Sequence, residues 1–527
     1  MSERILHKRQ AVLGVIAVCI ASAMLPISLT GSSVAMPAVA VDFHNSLAAG
    51  QWIVNGYDLT FASLMLASGA LADLFGRRRM FVLGNLVFAI FSAASALSTE
   101  ILTLDIARAL AGVGAAVSLT AGSAILASLF EGAARARAFG IFGTAIGVGL
   151  AFGPFLAGAL QTSLNWRAIF ILPAIATALA AAMAFVLPES RDPGATRVDW
   201  AGTITFTGSL AALIWALLEG PQSGWAAPLN ILAYVLAAGL MAGFVVAERV
   251  QQRPMFDLSL FRQARFVSLC VAVVALVFGF TPLLVYLPSY LTAVNNESTF
   301  RASVDLLMLT VPTLLFPVIT GYLLRWVPMR HMVTLSVLLT AVGCGWLVVI
   351  APAVGNWVVL GPFAVIGTGV GISFGVLDGA AVSSVESSRA GMAAGMFNTM
   401  RLSGESIAIA VVGSLLVSFT GAHLKGRLGA IGGPWANSPS ALAAKLNQGQ
   451  LRQPAAQVPA DVREVFTRTA QSAYTGALHD VLWLLAALCA AATVLVAAVG
   501  RQRSPVGREE AAPLAAAPSD EPAAAAS

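Results

Sequence analysis

The feature that most constrains this chain is the recurrence of apolar runs about as long as a bilayer is thick. A spanning helix needs about 20 mostly apolar residues. Such runs lie near 11–31, 51–72, 80–98, 101–129, 138–160, 168–187 and 199–218. A second set lies near 229–247, 266–292, 304–324, 332–351, 357–383, 392–419 and 477–499. The expectation is an all-α polytopic membrane protein with fourteen spans. Composition agrees: mean hydropathy is +0.83 and only 10% of residues are charged, against about 25% in a soluble domain. The first run is as long as a span, which favours an uncleaved first helix over a signal peptide.

An even number of spans puts both termini on one side, and charge says which. Of the 30 Lys and Arg, 20 lie at the termini or in loops on the side of the termini, among them Arg77, Arg78, Arg79, Arg135, Arg137, Arg249, Arg253, Arg262 and Arg265. The short loops opposite carry Arg167 and Arg301. Positive charge retained inside places both termini in the cytoplasm. The segment at about 420–476 reads as a partly ordered hydrophilic excursion on the outer side, and the Ala/Pro/Glu-rich tail 501–527 as disordered.

A repeat organises the spans. Gly69-Ala-Leu-Ala-Asp-Leu-Phe-Gly-Arg-Arg-Arg-Met follows the second run, and Gly321-Tyr-Leu-Leu-Arg-Trp-Val-Pro-Met-Arg-His-Met follows the tenth, at an offset of 252. The same offset carries the start of the fifth span close to that of the thirteenth. The expected organisation is a six-helix bundle over 1–190, an inserted pair (spans 7 and 8 with linkers) over 191–262, and a second six-helix bundle over 263–500. Parallel six-helix halves suit a transporter that rocks around a central site.

Several motifs carry a family resemblance. Gly69-x-Leu-Ala-Asp73-x-x-Gly76-Arg77-Arg78-Arg79 resembles the loop 2–3 signature of the major facilitator superfamily. Leu104-Asp-Ile-Ala-Arg108-Ala-Leu-Ala-Gly112-Val-Gly114 resembles its proton-antiporter helix, with Ala111 where the family usually has glutamine. Gly149-Leu-Ala-Phe-Gly153-Pro154-Phe-Leu-Ala-Gly158 is similar to the antiporter signature of drug exporters. Trp52-Ile-Val-Asn-Gly-Tyr57, Asn165-Trp-Arg-Ala-Ile-Phe170, Asp199-Trp-x-Gly202, Pro254-Met-Phe-Asp-Leu-Ser-Leu-Phe261 and Ala390-Gly-Met-Ala-Ala-Gly-Met-Phe-Asn398 resemble the fourteen-helix drug:proton antiporter branch, the EmrB/QacA type. That resemblance runs from about residue 20 to 500 and implies the major facilitator fold and proton-driven multidrug efflux across a bacterial inner membrane, with antibiotic resistance as its consequence. One departure matters. Ser28 stands in Ile27-Ser-Leu-Thr-Gly-Ser-Ser-Val-Ala-Met-Pro37 where the branch often has an acid.

Roles follow from residue type and from the resemblance. Asp73 and Arg77, with Arg78 and the glycines Gly69 and Gly76, form a conformational gate that latches the cytoplasmic side; the alternative is a topogenic basic loop. Arg108 inside an apolar helix is expensive and functional by default; the alternative is an ion pair with Asp105. Gly149, Gly153 and Gly158 open a groove for a partner helix, and Pro154 bends the axis. With Ser28 in place of an acid, Asp58 and Glu405 become the candidate proton carriers. Burial favours the neutral form of a carboxyl. Arg401 stands one turn before Glu405 as assistant or fixed partner. Asp305 and Asp378 lie nearer span ends and are weaker candidates.

Expected partners are a small-molecule substrate, protons, the lipid bilayer and, where the branch uses one, a periplasmic adaptor protein. No nucleic acid, cofactor or metal is expected. The five histidines lack metal-ligand spacing. The four cysteines fall within apolar stretches as packing residues. The absence of a Gly-Lys-Ser/Thr phosphate loop argues against ATP as energy source. A dedicated exporter of one metabolite or siderophore is the nearest alternative. A membrane-embedded enzyme would need a catalytic constellation that is not evident, a receptor has no need of the duplication, and a channel is disfavoured by the two-half design.

Overall fold

The computed structural model describes residues 2–43, 52–130, 132–191, 199–251, 258–352, 355, 357–383, 390–428, 435 and 437–500. The tail 501–527, the side chains of Arg135, Arg137 and Asp378, and all of Arg253 lie outside what is described. Regular structure among the described residues is helical throughout, as lipid demands of a chain that must satisfy its own backbone.

The helices are α1 (Ser2–Asp42), α2 (Trp52–Phe75), α3 (Arg77–Leu97), α4 (Ile101–Leu129), α5 (Gly132–Ser163), α6 (Ala168–Ala184), α7 (Trp200–Ser223) and α8 (Pro228–Val250). After a 3-10 turn at Leu258–Arg262 come α9 (Ala264–Ala293), α10 (Thr299–Asp305), α11 (Leu307–Leu323), α12 (Met329–Trp346), α13 (Trp357–Ser383) and α14 (Ala390–Leu424). The last three are α15 (Pro439–Asn447), α16 (Arg452–Ala456) and α17 (Arg463–Gly500).

Among the described residues, ten helices are long and apolar enough to cross a membrane, or twelve when two bent pairs count as one span each. The bends are 54° in α2, between Met65 and Ala67, and 41° in α5, between Gly149 and Phe152. Pro154 lies just past the bend in α5, and the Ser68–Gly69 step just past that in α2; both are recognised causes of kinks. Two further apolar helices, α6 and α11, have 17 residues each.

Packing repeats along the chain. α1 lies on α5 and α6, α2 on α4, and α3 on α4 and α6; likewise α9 lies on α14 and α17, α11 on α13, and α12 on α13 and α17. Separate apolar cores fill the two sets. They meet where α5 touches α11 and where α2 touches α14. α7 and α8 pack on each other, and α7 joins α2 and α14 through a small cluster containing Ala62, Leu210, Ile214 and Ala410.

The segment 420–476 differs from a hydrophilic excursion. Its short helix α15 buries Leu442, Ala443 and Leu446 completely and packs on α9 and α14. Four-residue spacing of the two leucines gives one apolar face in otherwise polar surroundings. The final helix also begins before 477, at Arg463. Its first turns are amphipathic: Phe466, Ala470, Ala473 and Tyr474 are buried, while Arg468 pairs with Glu464 at 2.5 Å on the exposed face. A search for uninterrupted apolar length passes over such turns.

Candidate functional site

Arg108 is fully buried among α1, α2, α4 and α6. Its Nη1 donates to Ser28 Oγ at 2.8 Å, its Nη2 to Ser28 O at 3.4 Å and its Nε to Ile53 O at 3.0 Å. The guanidinium carbon lies 4.2 Å from the centre of the Tyr57 ring and 5.4 Å from that of Phe170. A guanidinium set over an aromatic ring while it donates through several N–H groups is what an arginine does and a lysine does not. The hydroxyl of Tyr57 donates to Leu25 O at 3.4 Å, tying the stacked ring back to α1. The pair with Asp105 does not carry Arg108: its hydrogen bonds go to a hydroxyl and two backbone carbonyls, while Asp105 Oδ1 is buried without a partner.

Asp58, one residue after the stacked Tyr57, is 6% exposed, and its Oδ2 has no hydrogen-bond partner. It interacts through space with Arg108 and with Glu405. The latter comes from α14, so the α2–α14 contact brings the two candidate acids into electrostatic reach of each other. Arg401 and Glu405 line a recess among α9, α13 and α14, together with Phe280, Thr281, Ser373 and Phe397, and Arg401 acts electrostatically on Glu405. Asp305 stands apart, 4.0 Å from Arg301 one turn earlier. A larger recess of about 730 Å³, counted to its open mouth, is bounded by α1, α2, α7, α9 and α14. Asn55 on its wall is one turn from Asp58, and the wall residue Tyr286 interacts electrostatically with that acid.

At the other end of α2, Arg77 donates twice to Asp73 Oδ1, from Nε at 3.0 Å and Nη2 at 2.9 Å. Its neighbours turn toward Glu189, beyond the end of α6. Glu189 accepts from Arg78 N at 3.0 Å and forms ion pairs of 3.6 Å with Arg78 and 3.7 Å with Arg79. Arg78 also donates to Leu187 O at 3.0 Å. Gly76, at φ 111°, makes the turn, and a Cβ there would meet Glu189 Oε1 at 2.6 Å. The motif thus clamps the α2–α3 turn to the end of α6. Glu189 was missed by sequence reasoning; its one signal is an acid directly after an apolar run and opposite three arginines.

The α5 motif has a definite partner helix. A Cβ on Gly149 would run into Ala23 O, and one on Gly153 into Thr30 Oγ1, so α5 lies backbone-close on α1. Gly158 is buried and its carbonyl accepts from Thr162. Gly69 has open space around it. Ser28 and Thr30 therefore sit on one stretch of α1 that carries Arg108 on one side and the bend of α5 on another.

The family model for the Major Facilitator Superfamily matches residues 17–409. The chain belongs to the major facilitator superfamily. It is a multi-pass membrane protein of the drug-exporter kind. It is 31% identical to the multidrug resistance protein Stp of Mycobacterium tuberculosis over 403 residues, 75% of this chain and 74% of that one. It is 32% identical to the probable actinorhodin transporter of Streptomyces coelicolor, over 75% of this chain and 70% of the relative. To the tetracenomycin C resistance and export protein of Streptomyces glaucescens it is 29% identical, over 77% and 76%. In fold it is similar to a bacterial homologue of the lysosomal transporter Spinster in an inward-facing, occupied conformation (TM-score 0.62, 15% identity, 93% of this chain and 98% of that one).

Proposed function

We propose that this protein exports amphipathic small molecules, cationic ones among them, in exchange for protons, with Asp58 as the principal coupling acid and Glu405 assisting. The observation that carries the reading is the position of Asp58: a buried carboxylate with a free oxygen, within reach of a buried arginine and of an acid across the α2–α14 contact. Arg108 is already engaged by Ser28, so it biases Asp58 through space rather than locking it in an ion pair. A cationic substrate favours the deprotonated acid and displaces its proton, which is the competition that antiport needs. The names of the relatives, which speak of multidrug resistance and of antibiotic export, support the direction of transport.

The same reading takes all fourteen long helices as spans, the 17-residue α6 and α11 included, since that length lies at the short end of what crosses a bilayer. Both termini are then cytoplasmic, residues 1–190 and 263–500 form the two rocking bundles, and 191–262 is an inserted pair. The clamp of Asp73, Arg77, Arg78 and Glu189 holds the cytoplasmic end of the first bundle together and favours the outward-open state. A dedicated exporter of one compound is the second reading, favoured by the antibiotic-specific names among the relatives. Efflux over a panel of dyes and antibiotics, in cells lacking other pumps, separates the two. Multidrug export predicts faster efflux of several unrelated compounds, lost with Asp58→Asn; movement of one compound alone selects the dedicated exporter.

A further inference from the structure

The larger recess is closed on one side by α15, whose last residue Asn447 and the following Gln448 stand on its wall. Three of the other polar side chains there are engaged within the protein. The Tyr286 hydroxyl donates to Ile409 O at 3.0 Å, the Ser414 hydroxyl to Leu217 O, and Asn447 Oδ1 accepts from the Tyr474 hydroxyl at 3.2 Å. Gln448 differs. It is 6% exposed, and its Oε1 is buried with no hydrogen-bond partner. A buried acceptor left empty is costly and calls for an explanation.

Its position is fixed from both sides. Leu442 and Leu446 anchor α15 in the core. Gly449 turns the chain at φ +80°, so close to α9 that a Cβ would meet Thr292 Oγ1 at 2.6 Å. Just beyond, Arg452 donates to Asn296 Oδ1 from Nε at 3.0 Å and Nη2 at 2.6 Å. Among the described residues no charged side chain lines this recess, and a charge moved from water into such surroundings loses its solvation without a partner in contact.

Building on the export reading above, we propose that Gln448 is a specificity-determining residue. Its amide oxygen accepts a hydrogen bond from a hydroxyl or N–H group of an uncharged amphipathic substrate held against the α15 cap. Uncharged molecules with a hydrogen-bond donor are then the class this recess selects, beside any cation that Asp58 and Glu405 handle.

The test uses the purified full chain and two matched probes, 2,6-dihydroxyanthraquinone and its dimethyl ether, measured by equilibrium dialysis at mildly acidic pH, where the phenols stay protonated. The unmodified chain is expected to prefer the dihydroxy probe by about tenfold, the worth of one buried hydrogen bond. Gln448→Leu should abolish that preference by weakening the dihydroxy probe alone, and Gln448→Glu, which keeps an acceptor, should preserve it. Equal weakening of both probes by Gln448→Leu, no change in either, or no binding of either probe to the unmodified chain overturns the assignment. Uphill efflux of the probes from proteoliposomes is scored separately. Efflux without a Gln448-dependent preference leaves export standing and removes Gln448; a preference without efflux does the reverse.

Discussion

Ser28 is where one residue changes the chemistry of the site most. A carboxylate there would pair with Arg108 and share its charge, whereas a hydroxyl satisfies one donor and leaves the guanidinium's full charge acting on Asp58. Ser28→Ala strands a buried N–H and should lower the thermal stability of the solubilised protein by the equivalent of about 1–3 kcal/mol. Ser28→Asp should instead restore an ion pair and weaken the influence of Arg108 on Asp58, seen as a changed pH profile of efflux. Arg108→Lys keeps the charge but loses the stack on Tyr57 and the forked donation, so transport should fall at least tenfold with the protein still in the membrane; undiminished efflux would show that charge alone suffices. The intramembrane arginine and the absent acid were both legible in the sequence. That the two sites touch was not, because 80 positions separate them and only the packing of α4 against α1 brings them together.

At the scale of elements, the proposed rocking depends on the α5 bend and the α2–α3 clamp. Gly153→Val forces a side chain into Thr30 and the backbone of Ile27. Overpacking of this kind costs about 1–3 kcal/mol, and because α1 also carries Ser28, transport should drop further than protein level does. Normal efflux in that variant would mean that α1 and α5 separate freely. At the clamp, Glu189→Gln removes the charge facing Arg78 and Arg79 and should impair transport about as much as Asp73→Asn. Accessibility of a cysteine placed in the recess is the readout, expected to shift away from the outward-open state in both variants. The glycine and aspartate spacing of this motif was readable from sequence alone, but its counter-charge was not, since Glu189 belongs to no repeat and its partners lie 111 positions away. Nor was the folded 439–456 segment readable, because its apolar content is confined to one face of short helices rather than gathered in a run.

At the scale of the whole molecule, the proposed export needs two bundles, duplicated in packing, that rock about a site where α2 of one meets α14 of the other. The packing repeats in step with the Gly69 and Gly321 motifs, and among the described residues ten helices, or twelve with the bent pairs, lie where apolar length put them; the kinks in α2 and α5 and the early start of α17 were not legible, because each mixes polar or helix-bending residues into the run. Fourteen spans put residue 501 and the 439–456 segment on opposite faces, and reporter fusions at both should differ in sidedness; agreement between them would refute the count. Proton coupling is tested most directly by substrate-induced proton release from the purified protein, unmodified against Asp58→Asn, across the pH range in which a buried carboxyl exchanges its proton. The unmodified protein should release protons when a cationic substrate binds, and Asp58→Asn should bind that substrate with the release abolished. Undiminished proton release from Asp58→Asn would contradict proton carriage by Asp58 and pass the coupling role to Glu405.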